Sequence, residues 1–413
     1  MADTEPALCR SCGHDGLQTF LSLGKTPLAD ALVTEEQLTE EEAVFPLDVA
    51  FCPECALVQI LGDVPPEMLF VDNYLYFSSF SDHLLAHSRD HALGLIERLD
   101  LGPDSLVVEI ASNDGYLLRN FVEHGIPVLG IEPAPDQADA AETAGIPTRR
   151  EFFGIELARE LVESGQKADV IIANNVMAHV PDLNGFVAGM AHLLEDDGVI
   201  TVENPSVDEL VERCAFDTIY HEHHCYFSCL SVSALAARHG LSLNRVDSFP
   251  DLHGGTLRWS LGKKHEPHVS VARHVDAETE AGVGGYAYYE HFADEVNRVE
   301  RDLRALLEGL KADGATIAAY GAAAKGATLV NVVGIGTDLV DFVVDRNTHK
   351  QGRYMPGTHL PIRPVEALLE ASTYPIVPAD YAMALTGAAT IEAAGREMLR
   401  RGPKVAILTS GSR

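Results

Sequence analysis

No run of about 18 apolar residues occurs in this chain, so no segment reads as a membrane-spanning helix. Met1 to Ala7 carry acids and no apolar stretch, which predicts no secretory signal. Low-complexity tracts and repeats of roughly 20 to 50 residues are also missing. Basic residues are scarce: 30 Lys and Arg against 62 Asp and Glu leave a net charge of -32. Such a surface repels phosphate backbones and argues against DNA or RNA as a partner. Cysteines number only seven, an odd count that builds no disulfide framework and points to a reducing, cytoplasmic setting. What is present is ordinary globular material: 413 residues, 46% hydrophobic, enough for two or three domains.

Four of the cysteines stand as two C-x-x-C pairs, Cys9 with Cys12 and Cys52 with Cys55. Two such knuckles offer four thiolates and predict a closed, tetrahedral, structural zinc site in a module over residues 1–66. A redox pair is the competing reading. A closed site leaves no open position for a substrate, so the acid–base chemistry is expected beyond Pro66.

The run Ala56 to Leu61 reads as a strand closing that module, and Pro65-Pro66 marks its boundary. A helical pattern covers Asp82 to Leu99. From Ser105, short apolar strands (Leu106–Ile110, Val128–Glu132, Val170–Asn174, Val199–Glu203) alternate with helical patterns (Tyr116–His124, Glu156–Ser164, Leu183–Leu194) and a turn at Asp196–Gly198. This predicts an α/β fold with a parallel, doubly wound sheet over residues 67–285. A long amphipathic helix over about Tyr286–Ala312 then leads into a second, smaller α/β unit ending at residue 413. There, strands Thr316–Tyr320 and Leu339–Val344 flank a helix at Ala324–Val332.

The first strand of the doubly wound unit runs into Glu109-Ile110-Ala111-Ser112-Asn113-Asp114-Gly115, a small-residue loop before a helix. The second ends at Glu132, placed to accept hydrogen bonds from ribose hydroxyls. S-adenosylmethionine fits both features; NAD is the competing ligand, since a full G-x-G-x-x-G is absent, and a purely structural turn is the third reading. Asn174, Asn175 and His179 follow the third strand, at the end of the sheet where ligands bind. The stretch Tyr220-His221-Glu222-His223-His224-Cys225 packs a base, an acid and a phenol together. It reads as an acid–base site, a second metal site through His221 and His223, or a hydrogen-bonding cluster.

Taken in order along the chain, these motifs resemble the sugar C-methyltransferases that add a branch methyl to nucleotide-activated 4-keto-6-deoxyhexoses in antibiotic biosynthesis. The resemblance covers essentially the whole chain. It runs through the paired C-x-x-C module, Tyr76 to His83, Glu109 to Gly115, Ile219 to His223, His253 to Arg258 and Tyr320 to Gly326. It implies a central class I, Rossmann-like methyltransferase domain and a smaller Rossmann-like C-terminal domain that encloses the nucleotide sugar. S-adenosylmethionine is then held by Tyr76, Glu109, Ser112, Asn113, Asp114, Gly115, Glu132, Asn174 and Asn175. His223 is implied as general base, Tyr220 and His179 as donors to the developing oxyanion, and Glu222 as the group that orients or shares protons. His253, Gly254, Arg258, Tyr320, Lys325, Asp345, Arg346 and His349 are implied to meet the substrate. That substrate is a dTDP-linked 4-keto-deoxyhexose methylated at C3, handled by a monomer or weak dimer.

Two positions depart from the family pattern. Ala111 stands where the pattern has glycine, which is harmless if its φ is negative. His224 and Cys225 stand where it has an aromatic residue. A flat strand through Tyr220 to His224 would put Tyr220 and His223 on opposite faces, so this segment is expected to be irregular. A nicotinamide-dependent oxidoreductase acting on a nucleotide sugar is the alternative function, and a zinc interaction module on a degenerate methyltransferase fold is a third.

Overall fold

In the computed structural model, which describes residues 7–62, 64, 77–250, 252 and 255–369 together with strands Thr373–Pro378 and Ile407–Thr409, three β-sheets organise the chain. Tyr76, His253 and Gly254 lie outside the described residues.

The first sheet is antiparallel and follows the order β1 (Gln18–Pro27), β2 (Val44–Phe51), β3 (Val58–Ile60), β9 (Cys225–Tyr226). Its last strand belongs to the histidine segment. Val58 pairs with Tyr226 and Gln59 with Cys225, and the Ile60 amide donates to the His224 carbonyl at 3.0 Å. The zinc module is therefore completed by a strand more than 150 residues away in sequence.

The second sheet follows the order β10 (Ser242–Phe249), β11 (Thr256–Gly262), β8 (Leu194–Pro205), β7 (Ala168–Asn174), β4 (Val107–Ile110), β5 (Val128–Ile131), β6 (Thr148–Arg149). β4 to β8 run parallel, and β11 is antiparallel to both neighbours. Helices cover both faces, which is why the strands read as unbroken apolar runs such as Val170-Ile171-Ile172-Ala173. Chain order reverses between β4 and β7, and the crevice beyond their carboxyl ends is where such a sheet binds ligands. The third sheet is wholly parallel, in the order β14 (Ile362–Arg363), β13 (Phe342–Val344), β12 (Thr316–Tyr320), β15 (Thr373–Pro378), β16 (Ile407–Thr409).

Two hydrophobic cores tie these sheets together. One joins Cys9, Cys52, Cys55 and Leu57 to the second sheet. The other joins β1, β2 and β3 to the helix Phe292–Ala312 and to the third sheet. The N-terminal module is thus wedged between the two α/β units. No helix among the described residues is long and apolar enough to cross a membrane.

Local signals account for several element ends. The helix Asp82–Leu99 begins where the Ser81 side chain accepts the Leu84 amide and ends where Asp100 turns left-handed, φ +50; a serine cap of this kind contributes about 1 kcal/mol. The predicted helix Tyr116–His124 shrinks to Arg119–Val122, because the loop before it turns through left-handed residues up to Gly115. The long helix starts at Phe292, preceded by a 3₁₀ turn at Tyr286–Tyr288. Asp196 to Gly198 make no helix-ending turn: they sit inside β8, where a register shift against β7 absorbs them.

Candidate active site

A cleft of about 1260 Å³ opens at the switch point, larger than the 300–1,000 Å³ typical for one small ligand. All three sheets contribute to its walls. Asn113, Glu132, Asn174, Asn175 and His179 come from the second; Asp30 and Glu42 come from the N-terminal module; Lys325, Lys350 and Arg353 come from the third unit. The expectation that every acid–base group lies beyond Pro66 is therefore corrected, since Asp30 faces the same cleft as Glu222.

Tyr220, Glu222, His223 and His179 all line this cleft. The segment that carries three of them is irregular: Tyr220 to His224 form a turn, and pairing begins only at Cys225. The turn folds the Tyr220 hydroxyl back to 2.9 Å from His223 Nε2. On the other side of the ring, His223 Nδ1 lies 2.8 Å from the Thr218 carbonyl. A carbonyl only accepts, so Nδ1 carries the proton and Nε2 accepts from the phenol. Burial first, then the neighbouring His179, pushes His223 well below the usual histidine range, so the ring is neutral. The His179 ring packs against it, centroids 4.6 Å apart, and burial lowers His179 to about 4. Glu222 is pushed the other way: burial and the charge of Asp30 raise it well above the carboxylate range, so it holds its proton.

His221 does other work. His221 Nε2 donates to the carbonyls of Pro46 (3.2 Å) and Phe45 (3.3 Å), tying the turn to β2. Both His223 nitrogens are engaged, and among the described residues no third ligand side chain gathers with His221 and His223, so the geometry does not support the second-metal reading.

The loop after β4 splits into residues that face the cleft and residues that shape it. Asn113 and Glu132 face it. Glu132 accepts the Asn113 and Ala134 amides, each at 2.9 Å, one per carboxylate oxygen, which leaves further lone pairs for hydroxyl donors. Asn174 also lines the cleft with a buried Oδ1 that has no hydrogen-bond partner, as does Asn204. These oxygens fit the hydroxyl- and amine-bearing S-adenosylmethionine. Glu109, Ser112, Asp114 and Gly115 do not reach the cleft. Glu109 is buried beneath the loop, raised by burial and by the charges of Asp114 and Glu132. Ser112 packs on Gly130, where a Cβ would stand 2.5 Å from its Oγ. Asp114 accepts the Ser79 amide at 3.2 Å. A Cβ on Gly115, φ +77, would stand 2.1 Å from Ile146. Ala111 has φ +56, so the condition for a harmless alanine, a negative φ, is not met and the residue carries strain that a glycine avoids.

Among the expected substrate contacts, Lys325 lines the cleft at the N-terminus of the helix Ala324–Val333. Lys350 and Arg353, which sequence reasoning missed, join it; Lys350 Nζ is held 2.7 Å from the Ala322 carbonyl. Arg258 instead pairs with the buried Glu203 behind the loop. Asp345 is spent on the Ala322 and Asn347 amides, at 2.7 and 2.8 Å. Tyr320 ends β12 without reaching the cleft, and Arg346 and His349 are exposed on the following loop.

Cys9, Cys12, Cys52 and Cys55 converge, with all four Sγ atoms within 4.8 Å of one another and the Cys9–Cys55 and Cys12–Cys52 pairs at 3.5 Å. A tetrahedral ion with Zn–S bonds of about 2.3 Å needs sulfurs about 3.8 Å apart, so the set fits zinc. Among the described residues this is the only group of three or more His, Cys, Asp or Glu side chains placed to share an ion. The knuckle docks on the second sheet's helical layer: Asn184 Nδ2 donates to the Arg10 and Ser11 carbonyls, and Arg238 to Ser11 Oγ.

Family models match three stretches: a zinc binding domain at residues 9–70, a methyltransferase domain at 82–246 and a C-methyltransferase C-terminal domain at 251–400. The C-methyltransferase NovU of Streptomyces niveus is 36% identical over 86% of this chain and 84% of its own length. A ubiquinone biosynthesis O-methyltransferase from Methylobacterium sp. (strain 4-46) is 33% identical, but over 26% of this chain and 45% of its own. The solved magnesium protoporphyrin IX methyltransferase of Synechocystis PCC 6803 overlaps 44% of this chain and 83% of its own, at 16% identity and a TM-score of 0.35. By its match to NovU along nearly its full length, the chain belongs to the S-adenosylmethionine-dependent C-methyltransferase family.

Proposed function

We propose that this enzyme adds a branch methyl at C3 of a dTDP-linked 4-keto-deoxyhexose. Support comes from one arrangement: the neutral Tyr220–His223 pair and the cations Lys325, Lys350 and Arg353 face a single cleft wide enough for two ligands. Lys325, Lys350 and Arg353 all come from the third unit's side of the cleft, where they would meet an anionic group, and a sugar diphosphate supplies one.

S-adenosylmethionine supplies an electrophilic sulfonium methyl; Asn113, Glu132, Asn174 and Asn175 are the residues that would hold it. A carbon nucleophile has to be made on the sugar, and the C4 ketone acidifies the neighbouring C–H bonds. His223 takes that proton on Nε2 when the Tyr220 hydroxyl hydrogen turns to the ketone oxygen. The C–H electron pair moves into the enolate, whose oxygen Tyr220 and His179 stabilise. The enolate carbon would be the acceptor for the methyl that S-adenosylmethionine supplies, while the abstracted proton stays on His223 as the ketone re-forms. Glu222, kept protonated, is placed as a further hydrogen-bond donor to the same oxygen.

The test is product analysis after incubation with S-adenosylmethionine and dTDP-4-keto-6-deoxyglucose. A new methyl on the C3 carbon in the NMR spectrum supports the reading. A methyl on C5 corrects the position, and a methoxy signal or a reduced ketone overturns it.

A further inference from the structure

A buried charged cluster lies behind the methyl-donor loop and takes no part in the chemistry above. His87 and His91 sit one turn apart on the helix Asp82–Leu99, Glu203 near the end of β8, and Arg258 opposite Glu203 on β11. His87 Nε2 is 3.0 Å from Glu203 Oε2, and Arg258 Nε is 2.5 Å from Glu203 Oε1. The Glu203 side chain is 1% exposed, those of His87 and Arg258 about one-tenth. Arg258 also approaches His87 Nε2, at 3.1 Å. The ionised carboxylate only accepts, so Glu203 is the common acceptor: His87 carries its proton on Nε2 and donates it to Glu203, and the Arg258 approach to that nitrogen is a close contact and not a second hydrogen bond. Burial raises the Glu203 carboxyl, but the His87 hydrogen bond and the charges of Arg258 and His91 outweigh it and hold it at about 2. Phe249 seals the cluster, edge-on to His87 at 4.7 Å and 4.5 Å beneath the Arg258 guanidinium.

The cluster reaches the donor site by two routes. The Glu203 carbonyl accepts the Asn175 amide at 2.7 Å, fixing the left-handed turn, φ +52, at the end of β7. His87 pins the helix near its start, and the 3₁₀ turn ahead of that helix latches the loop. Ser78 N–H donates to Asn113 Oδ1 at 2.9 Å, and Ser79 N–H to Asp114 Oδ2. Ser78, Leu84, Asn113 and Asn175 line the cleft together. A buried ion pair is seldom more stable than apolar packing of the same volume, so its use here is better explained by the geometry it fixes.

We propose that His87, Glu203 and Arg258 form a positioning network for the methyl donor, clamping the helix Asp82–Leu99 to the sheet so that Ser78 and Ser79 hold the Asn113–Asp114 loop in its binding conformation. The proposal rests on the assignment of that loop and Glu132 to S-adenosylmethionine.

The experiment compares His87→Phe, which keeps an aromatic ring but removes the donor, with His87→Gln, which restores an N–H. Binding of S-adenosylhomocysteine is measured by calorimetry, and KM and kcat for both substrates by steady-state kinetics. His87→Phe is expected to weaken donor binding and raise the S-adenosylmethionine KM about tenfold, the scale of one charge-assisted hydrogen bond. Its kcat at saturation and its sugar KM stay within about twofold, and His87→Gln stays within about threefold of the unmodified enzyme throughout. Emission from the single, fully buried Trp259, next to Arg258, verifies that each variant is folded. A folded His87→Phe that binds S-adenosylhomocysteine normally, or equal losses in the Phe and Gln variants, overturns the positioning role. Glu132→Ala separates the two levels: if it also binds normally, the donor-site assignment falls and the proposal with it. If it binds weakly while His87→Phe does not, the positioning role alone falls.

Discussion

The Tyr220 hydroxyl lies 2.9 Å from His223 Nε2, so the phenol occupies the one lone pair on a ring whose other nitrogen is committed to the Thr218 carbonyl. On the proposed mechanism, base and oxyanion donor are thereby delivered as a unit. Replacing His223 with Ala is predicted to lower kcat about 10²–10⁴-fold, the usual cost of a lost general base. Tyr220→Phe is predicted to cost about 10²–10³-fold, the cost of an oxyanion donor. Neither change alters S-adenosylhomocysteine affinity, which calorimetry checks.

The pH profile follows from the two directions of shift. His223 lies well below the ordinary value of 6.5, mainly through burial, so it keeps its lone pair until the pH falls through that lowered value. The acid limb of kcat is therefore predicted below pH 6.5. Glu222 is raised by burial and by Asp30, so the form that donates is lost only as pH rises. Asp30→Asn removes a like charge, lets Glu222 ionise sooner and is predicted to move the alkaline limb to lower pH. An unmoved limb would separate Asp30 from Glu222.

Zinc bears on the Tyr220–His224 turn as well as on its own module, because β3 pairs with β9 directly after His224. About one zinc per chain is predicted by metal analysis. Cys52→Ser or chelation should release it, lower the melting temperature and lower kcat, with recovery on readdition after chelation. A second equivalent that tracks activity would contradict the single four-cysteine site.

Ala111 holds φ +56 in the loop after β4. A non-glycine residue in that region is strained by about 1–2 kcal/mol, part of which glycine gives back through chain entropy. Ala111→Gly is predicted to stabilise the enzyme by up to about 1 kcal/mol in denaturant unfolding, without loss of donor binding. Lower stability would show that the alanine methyl packs favourably enough to offset the strain.

Much of this was legible in the sequence, for identifiable reasons. The cysteine spacing gave the metal set, and the alternation from Ser105 gave the parallel strands β4, β5, β7 and β8, because buried strands leave apolar runs bounded by turn residues. The helical pattern from Asp82 gave a helix start that the structure reproduces. β9 was illegible: two residues, Cys225 and Tyr226, become a strand only because β3 offers an edge. Lys350 and Arg353 carry no local signal either, since they reach the cleft from an irregular loop beyond β13. Arg258 misled, because its motif position says nothing of the Glu203 directly across the ladder. Asp30 was hidden by the inference that a structural zinc module stays clear of the chemistry.

The account stands on proton removal from the carbon beside a ketone by the Tyr220–His223 pair. The most direct test is deuterium exchange into the 4-keto sugar nucleotide in D₂O, with S-adenosylhomocysteine in place of the methyl donor, followed by NMR. The account predicts exchange at the carbon that is later methylated, and its loss in His223→Ala. Undiminished exchange in that variant, or methylation by an unmodified enzyme that exchanges no proton there under any donor condition, would contradict it.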